Sequence, residues 1–156
     1  MPKVFKIGIT KNKNQEIQEA KEINLIAGKG IIGDRNFHEY NDGRHGDLHK
    51  DGRKQLTLIE SENIDYYNEK FNLNIPYLNF RRNIVTIGIK LNDLIGKELL
   101  INQTKIKGID FCRPCKELQE KLGLDNYIKE FLRKGGLRCE ILTSTNIKVD
   151  DEIKVL

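Results

Sequence analysis

Short runs of alternating hydrophobic and polar residues dominate the chain and predict a mainly β fold. Near the start, Phe5, Ile7 and Ile9 alternate with polar or small residues, as in a strand with one buried face. Further strands are predicted over residues 17–26, 55–59, 83–89, 97–101, 104–111, 137–143 and 152–156. About eight short strands joined by glycine-rich turns are typical of a small β-barrel.

Helical periodicity is confined to a few short segments. Ile64, Tyr67 and Phe71 recur at helical spacing after Ser61, which is predicted to cap that helix. Two more short helices are predicted, one after Pro114 and one over 125–135. The predicted fold class is therefore a β-barrel with a few short α-helical insertions, in a single domain over residues 1–156.

The polar segment from Asn36 to Arg53 follows neither pattern. It contains His38, His45 and His49. At about 18 residues it is long for a structureless loop in a compact domain, and such loops are often functional. The sequence leaves the role of these histidines open.

Composition and charge narrow the classes of protein. With 38% hydrophobic and 32% charged residues, the chain has the balance of a folded domain rather than of a disordered one. It contains no apolar run approaching ~18 residues, and its first residues do not resemble a secretory signal. We therefore expect a cytoplasmic protein that does not insert into a membrane.

The net charge of +4 is concentrated between positions 101 and 138, where nine basic residues stand against five acidic ones. Aromatic residues make up only 7% of the chain, fewer than a basic nucleic-acid surface with interleaved aromatics would require. The charge pattern therefore favours a small anionic ligand and predicts no nucleic-acid partner, although a merely solvated charged face remains an alternative.

The motif Cys112-Arg113-Pro114-Cys115 carries the most distinctive chemistry. Two cysteines at this spacing can share a metal, exchange as a dithiol, or serve only as structural residues. The predicted helix start after Pro114 and the cations Arg113 and Lys116 favour a thiolate. A third cysteine, Cys139, lies in a predicted strand and is expected to be buried.

Two further segments have groups that suit anions. Residues 28–35, GKGIIGDR, combine three glycines with Asp34 and Arg35, and a second cluster comprises Arg81, Arg82 and Asn83. Backbone N–H groups in a glycine-rich loop and the planar fork of arginine both bind oxyanions. A tight turn with an internal ion pair and a charged strand end are the alternatives.

Taken in order, five segments resemble the MOSC domain, named after the C-terminal part of molybdenum cofactor sulfurases. They are GKGIIGDR at 28–35, RKQLTLIE at 53–60, RRNIVTIGIKLNDLIGKELLI at 81–101, GIDFCRPCKEL at 108–118 and GGLRCEILTSTNIKVDDEIKV at 135–155.

The resemblance implies a barrel that binds the molybdenum cofactor, molybdopterin. It implies that Cys115 handles sulfur or ligates molybdenum, with Cys112 as its neighbour in the motif. No pyridoxal phosphate is expected in this domain. The residues implied to hold the cofactor are Asp34, Arg35, Arg81, Arg82, Asn83, Thr86 and Arg113.

Two functions are compatible with the resemblance. The first is a binding and sulfur-carrier domain that acts in cofactor maturation, with a cysteine desulfurase as partner. The alternative is a stand-alone molybdenum enzyme that reduces N-hydroxylated compounds with electrons from a separate redox partner.

Overall fold

A computed structural model describes residues 1–12, 15–37 and 55–156. Within those residues the chain forms eleven strands, three short α-helices and two 3-10 turns. The strands are β1 (Lys3–Ile9), β2 (Gln18–Ala20), β3 (Glu22–Ile26), β4 (Gly30–Ile31), β5 (Leu56–Glu60), β6 (Ile84–Ile87), β7 (Glu98–Ile101), β8 (Thr104–Phe111), β9 (Leu137–Ile141), β10 (Thr145–Lys148) and β11 (Ile153–Val155). The helices are α1 (Ser61–Phe71), α2 (Lys116–Leu122) and α3 (Tyr127–Glu130), and the 3-10 turns are Tyr77–Phe80 and Leu91–Leu94.

The larger sheet contains eight strands in the order β11-β7-β8-β9-β5-β6-β1-β2. All of its pairs are antiparallel except β5 with β6. The sheet curls on itself, because an isolated bridge joins Lys3 to Glu152 and the N–H of Ile153 donates to the carbonyl of Pro2. A smaller sheet, in the order β10-β3-β4, accompanies it. The predicted mainly β, barrel-like fold with a few short helices is confirmed.

The hydrophobic core has two parts. One is built from buried aliphatic residues of most strands of both sheets, among them Ile7, Leu58 and Leu99. The other contains aromatic residues from the helices and the 3-10 turn, including Phe80 and Phe131, whose ring centroids are 5.0 Å apart. This second part also contains Ile59 of β5, Val85 of β6 and Leu118 of α2, so that the helices pack against the larger sheet.

Several local predictions differ from the structure. Strands β4 and β10 were not predicted, and residues 17–26 form two strands, β2 and β3, instead of one extended segment. Ser61 is the first residue of α1 instead of its cap, and its hydroxyl pairs with the carboxylate of Glu62 at 3.2 Å. Helix α3 covers only Tyr127–Glu130, whereas a helix over 125–135 was predicted.

The three histidines predicted to lie in a functional loop fall outside the described residues. Within the described ranges, no helix has the length and apolar character needed to cross a membrane.

Candidate functional site

The exposed sulfur of Cys115 lies at the start of α2. Cys115 has an extended backbone, with φ −117° and ψ 156°, and immediately precedes the first helical residue. Its Sγ accepts the N–H of Leu118 at 3.4 Å, so that the sulfur satisfies one of the free donors at the helix start. Because the residue is exposed and unbridged, its sulfur is accessible to a reactant.

Cys112 differs from Cys115 in its burial. It is buried, with 2% of its surface exposed, and its backbone N–H donates to the carbonyl of Gly136 at 2.8 Å. A Cβ added to Gly135 would lie 2.2 Å from the carbonyl oxygen of Cys112. A glycine is therefore needed at position 135 for the two segments to approach.

Arg82 is held in place by Gly135. Its Nε donates to the carbonyl of Gly135 at 2.8 Å, which places the guanidinium beside the segment that contains Cys112. Because the hydrogen bond uses Nε, it orients the plane of the guanidinium. The geometry therefore couples the position of Arg82 to that of the cysteine motif.

Arg81 has a strained backbone. It ends the 3-10 turn Tyr77–Phe80 with a left-handed conformation, φ 62° and ψ 34°. That conformation costs a non-glycine residue ~1–2 kcal/mol, and such strain is concentrated at functional sites. The Nη1 atom of Arg81 donates to the carbonyl of Gln15 at 2.8 Å. The strained turn thus precedes two successive arginines, Arg81 and Arg82, which line the same cavity.

Electrostatics indicate that this region favours an anion. Burial lowers the pKa of Arg81, and the nearby positive charge of Arg35 lowers it further. Holding two guanidinium groups close together is unfavourable, and a bound anion would relieve the repulsion.

Asp34 and Asn83 bond within the protein. The carboxylate of Asp34 accepts the N–H groups of Thr10 at 3.1 Å and Asn36 at 3.3 Å. The amide of Asn83 donates to the carbonyl of Gly8 and accepts the N–H of Thr57, both at 3.1 Å. Both residues are buried, and their bonds join neighbouring segments of the wall of the site.

Two more arginines line the site, one shortly after the end of β8 and one on β9. Arg113 is exposed, and its Nη1 lies 2.8 Å from Oδ2 of Asp110. The hydrogen bond to Asp110 raises the pKa of Arg113. Arg138, on β9, pairs with Asp110 in the register of the sheet and was not predicted as a site residue. Its signal in the sequence is its polar position between the buried Leu137 and Cys139.

These residues surround one cavity of about 350 Å³, which we call the arginine cavity. Five arginines and only two carboxylates line it, so that its charge favours an anionic ligand. Its volume lies in the range of small-molecule sites. The lining residues are Thr10, Ile17, Asp34, Arg35, Asn36, Thr57, Arg81, Arg82, Asn83, Cys112, Arg113, Cys115, Glu117 and Arg138.

The structure brings eight of the nine predicted site residues to this cavity. Thr86 is the exception, because it is fully buried and its hydroxyl donates to the carbonyl of Ile59 at 3.3 Å. Its predicted contact with a cofactor therefore finds no support in the geometry.

Cys139 is buried in the sheet, as predicted, and burial raises the pKa of its thiol well above the usual value. Among residues 1–12, 15–37 and 55–156, no group of three or more His, Cys, Asp or Glu side chains could hold a metal ion.

Comparison with known proteins identifies the family. The model of the MOSC domain matches residues 41–154, which is most of the chain. The chain belongs to the MOSC domain family. This family is associated with the molybdenum cofactor in general, which agrees with the cationic cavity and its exposed cysteine.

Solved structures share the fold of this MOSC domain at low sequence identity. The YuaD protein from Bacillus subtilis has a TM-score of 0.79 at 18% identity, covering 99% of this chain and 96% of that one. YiiM from Geobacillus stearothermophilus has a TM-score of 0.77 at 14% identity, covering 100% of this chain and 75% of that one. YiiM from Escherichia coli has a TM-score of 0.67 at 14% identity, covering 99% and 68%.

A curated relative, a GMP synthase (glutamine-hydrolyzing) from Prochlorococcus marinus, is 30% identical over 87 residues. The match covers 56% of this chain and 15% of the length of that protein.

Proposed function

We propose that this MOSC domain binds the molybdenum cofactor in the arginine cavity and that Cys115 carries sulfur or ligates molybdenum during cofactor maturation. The observation that carries the proposal is the exposed sulfur of Cys115 on the wall of a cavity that five arginines make strongly cationic. Family membership supports the choice of ligand.

The residues present fit the charge and size of such a cofactor. A pterin phosphate is anionic, and Arg35, Arg81 and Arg82 line the same part of the arginine cavity. Arginine suits phosphate because its planar fork binds two oxygens at once. When bound, the cofactor would supply a molybdenum centre with oxidation–reduction and sulfur chemistry, and Cys115 would be the thiol of this chain that is accessible to it.

Of the two cysteines in the Cys112–Cys115 motif, one has an accessible thiol and the other a protected one. Cys115 is exposed, so that a donor protein can reach its sulfur, whereas Cys112 is buried on the cavity wall. In a sulfur-carrier step, the Cys115 thiolate attacks the terminal sulfur of a persulfide on a cysteine desulfurase. The bond between that sulfur and the desulfurase cysteine breaks, that cysteine leaves as a thiolate, and Cys115 becomes a persulfide.

Sulfur transfer from a desulfurase tests the proposal. The full chain is incubated with a cysteine desulfurase and free cysteine, and each of its three cysteines is then analysed by mass spectrometry for one added sulfur atom. We expect the added sulfur on Cys115, and none on the Cys115→Ser variant. Cys139→Ser is the matched control and is expected to retain the modification.

Added sulfur distributed without preference, or retained in Cys115→Ser, would contradict the carrier role. The alternative enzyme activity has a different readout, because it requires turnover. Reduction of an N-hydroxylated compound by cofactor-loaded protein with a chemical electron donor would favour the reductase.

A further inference from the structure

The buried Cys112 and the exposed Cys115 line the same space. Both belong to the wall of the arginine cavity, although only 2% of the surface of Cys112 is exposed. The third cysteine, Cys139, is buried in β9 and is not part of that wall. Cys112 is therefore shielded from a partner protein, but a group carried by Cys115 enters the cavity that Cys112 lines.

A neighbouring phenol indicates that the two thiols share one environment. Tyr127, the first residue of α3, is only 1% exposed. Burial raises the pKa of its hydroxyl to about 12, the charge of Arg82 opposes that rise, and both Cys115 and Cys112 add to it. Two thiols and one guanidinium therefore lie within electrostatic reach of the same hydroxyl group.

The segment between the two cysteines is short, and both of its ends are bonded to the rest of the fold. The N–H of Cys112 donates to the carbonyl of Gly136 at 2.8 Å, and the carbonyl of Cys115 accepts the N–H of Gln119 at 3.1 Å. Within the described ranges, the two residues between the cysteines make no backbone–backbone hydrogen bond. Three peptide units span at most ~11 Å and a disulfide needs a Cα separation of ~4.4–6.8 Å, so that these two residues are the part that turns when the sulfurs meet.

We propose that Cys112 is the resolving thiol for a persulfide on Cys115, so that the carried sulfur leaves as hydrosulfide into the arginine cavity. This inference rests on the proposed function, because it starts from the Cys115 persulfide. It adds a second reacting residue and the chemical form in which the sulfur is released.

The step is a thiol–disulfide exchange within one chain. The sulfur of Cys112 attacks the Sγ atom of Cys115, and a Cys112–Cys115 disulfide forms. The bond between Sγ and the added sulfur breaks, the added sulfur keeps both electrons of that bond and leaves as hydrosulfide, and the proton of the Cys112 thiol goes to solvent. Cys112 is oxidised and the added sulfur is reduced, so that the electrons balance within the protein. A small thiol reductant then returns the disulfide to two thiols.

The charge of the cavity favours release of an anion. Hydrosulfide is negatively charged, and five arginines line the space that receives it. Arg82 is held beside the cysteine motif, because a Cβ added to Gly135 would meet the carbonyl of Cys112 and lie 3.7 Å from Nη2 of Arg82. Fixed cations next to a developing negative charge stabilise a leaving group without reorganisation.

Release of sulfide from the preloaded protein tests the inference. The full chain is loaded by a cysteine desulfurase with free cysteine, separated from both, and kept anaerobically without added thiol. Sulfide is measured over time, and the added sulfur and the pairing of the cysteines are followed by mass spectrometry. We expect about one sulfide per loaded chain, appearing as the added sulfur is lost from Cys115 and as a Cys112–Cys115 disulfide forms. The rate is expected to be independent of protein concentration.

Two variants remove the resolving thiol. Cys112→Ser keeps the size of the side chain, and Cys112→Ala places no hydroxyl group in the buried position. We expect both to keep the added sulfur on Cys115 and to lose the release of sulfide. Cys139→Ser is the matched control, since Cys139 is also a buried cysteine, and it is expected to release sulfide at the wild-type rate.

The pairing of the cysteines in the wild type decides the question even if a variant does not fold. A lasting persulfide in the wild type, equal release from a Cys112 variant, or a disulfide between Cys112 and Cys139 would overturn the inference and leave the carrier role intact. Absence of both added sulfur on Cys115 and released sulfide at every time point would overturn both.

Discussion

Replacing Arg82 tests whether the arginine cavity holds the phosphate of the cofactor. The side chain has two roles in the geometry. Its Nε is bonded to the carbonyl of Gly135 at 2.8 Å, and the guanidinium forms part of the cavity wall. Arg82→Ala removes both the internal hydrogen bond and the charge, whereas Arg82→Lys keeps the charge without the planar fork.

The magnitude follows from the hydrogen bonds that the guanidinium makes. One charge-assisted hydrogen bond to phosphate contributes ~1.5–3 kcal/mol, which corresponds to a change in Kd of about 10- to 150-fold. We therefore expect Arg82→Ala to weaken binding within that range and Arg82→Lys to lie between it and the wild type. Loss of the bond to Gly135 is expected to lower the free energy of unfolding by about 1 kcal/mol in both variants.

The assay is anaerobic titration with the molybdenum cofactor, combined with urea denaturation to measure the stability of each variant. Arg133→Asn is the control, because Arg133 is exposed, lies outside the arginine cavity, and has a left-handed φ of 62° that asparagine tolerates. An unchanged Kd in a folded Arg82→Ala variant would refute the phosphate site. An equal loss of affinity in Arg133→Asn would indicate a nonspecific effect of net charge.

Three further predictions concern the wall of the site and the fold around it. Gly135→Ala forces its Cβ against the carbonyl of Cys112; we expect a loss of ~1–3 kcal/mol in urea denaturation together with weaker cofactor binding, and an unchanged stability would contradict the close approach. Burial raises the pKa of Glu60, so that its ionisation destabilises the folded state as pH rises through and above the unfolded-state value near 4.5. Glu60→Gln is therefore expected to stabilise the protein at pH 7 and to lose that advantage below the unfolded value, and equal unfolding midpoints at pH 7 would contradict this sign. Alkylation of the native protein is expected to modify Cys115 first and Cys139 only after unfolding, because burial keeps Cys139 protonated and inaccessible; early modification of Cys139 would contradict its position.

The residues that line the arginine cavity and belong to compact motifs could be predicted from the sequence. Cys112 and Cys115 could be found because their spacing and the following helix are local features. Arg81 and Arg82 could be found because adjacent arginines before a strand stand out in a chain of modest net charge. These predictions needed no knowledge of which strands pair.

Features that depend on distant pairing could not be predicted in the same way. Arg138 reaches the cavity because β9 pairs with both β5 and β8, a register that no local pattern reports. Strand β10 has only four residues, and its partner β3 lies more than a hundred residues earlier in the chain. Thr86 is polar like the residues that line the arginine cavity, but β6 is flanked by β1 and β5, and the hydroxyl of Thr86 donates to the β5 backbone.

The local excess of positive charge between positions 101 and 138 accounts for only part of the cavity. Arg113 and Arg138 lie in that region, whereas Arg35, Arg81 and Arg82 come from earlier segments that the fold brings to the same cavity. Charge along the sequence predicts an anionic ligand, whereas the topology determines where the charges meet.

The central claim is that this MOSC domain binds the molybdenum cofactor through a site that includes the thiol of Cys115. The most direct measurement is the molybdenum and pterin content of the protein after anaerobic incubation with free cofactor, for the wild type and for Cys115→Ser. We expect near-stoichiometric molybdenum and pterin in the wild type, and a loss of molybdenum in the variant if the thiolate ligates the metal. Absence of both molybdenum and pterin from the folded wild type would contradict the account.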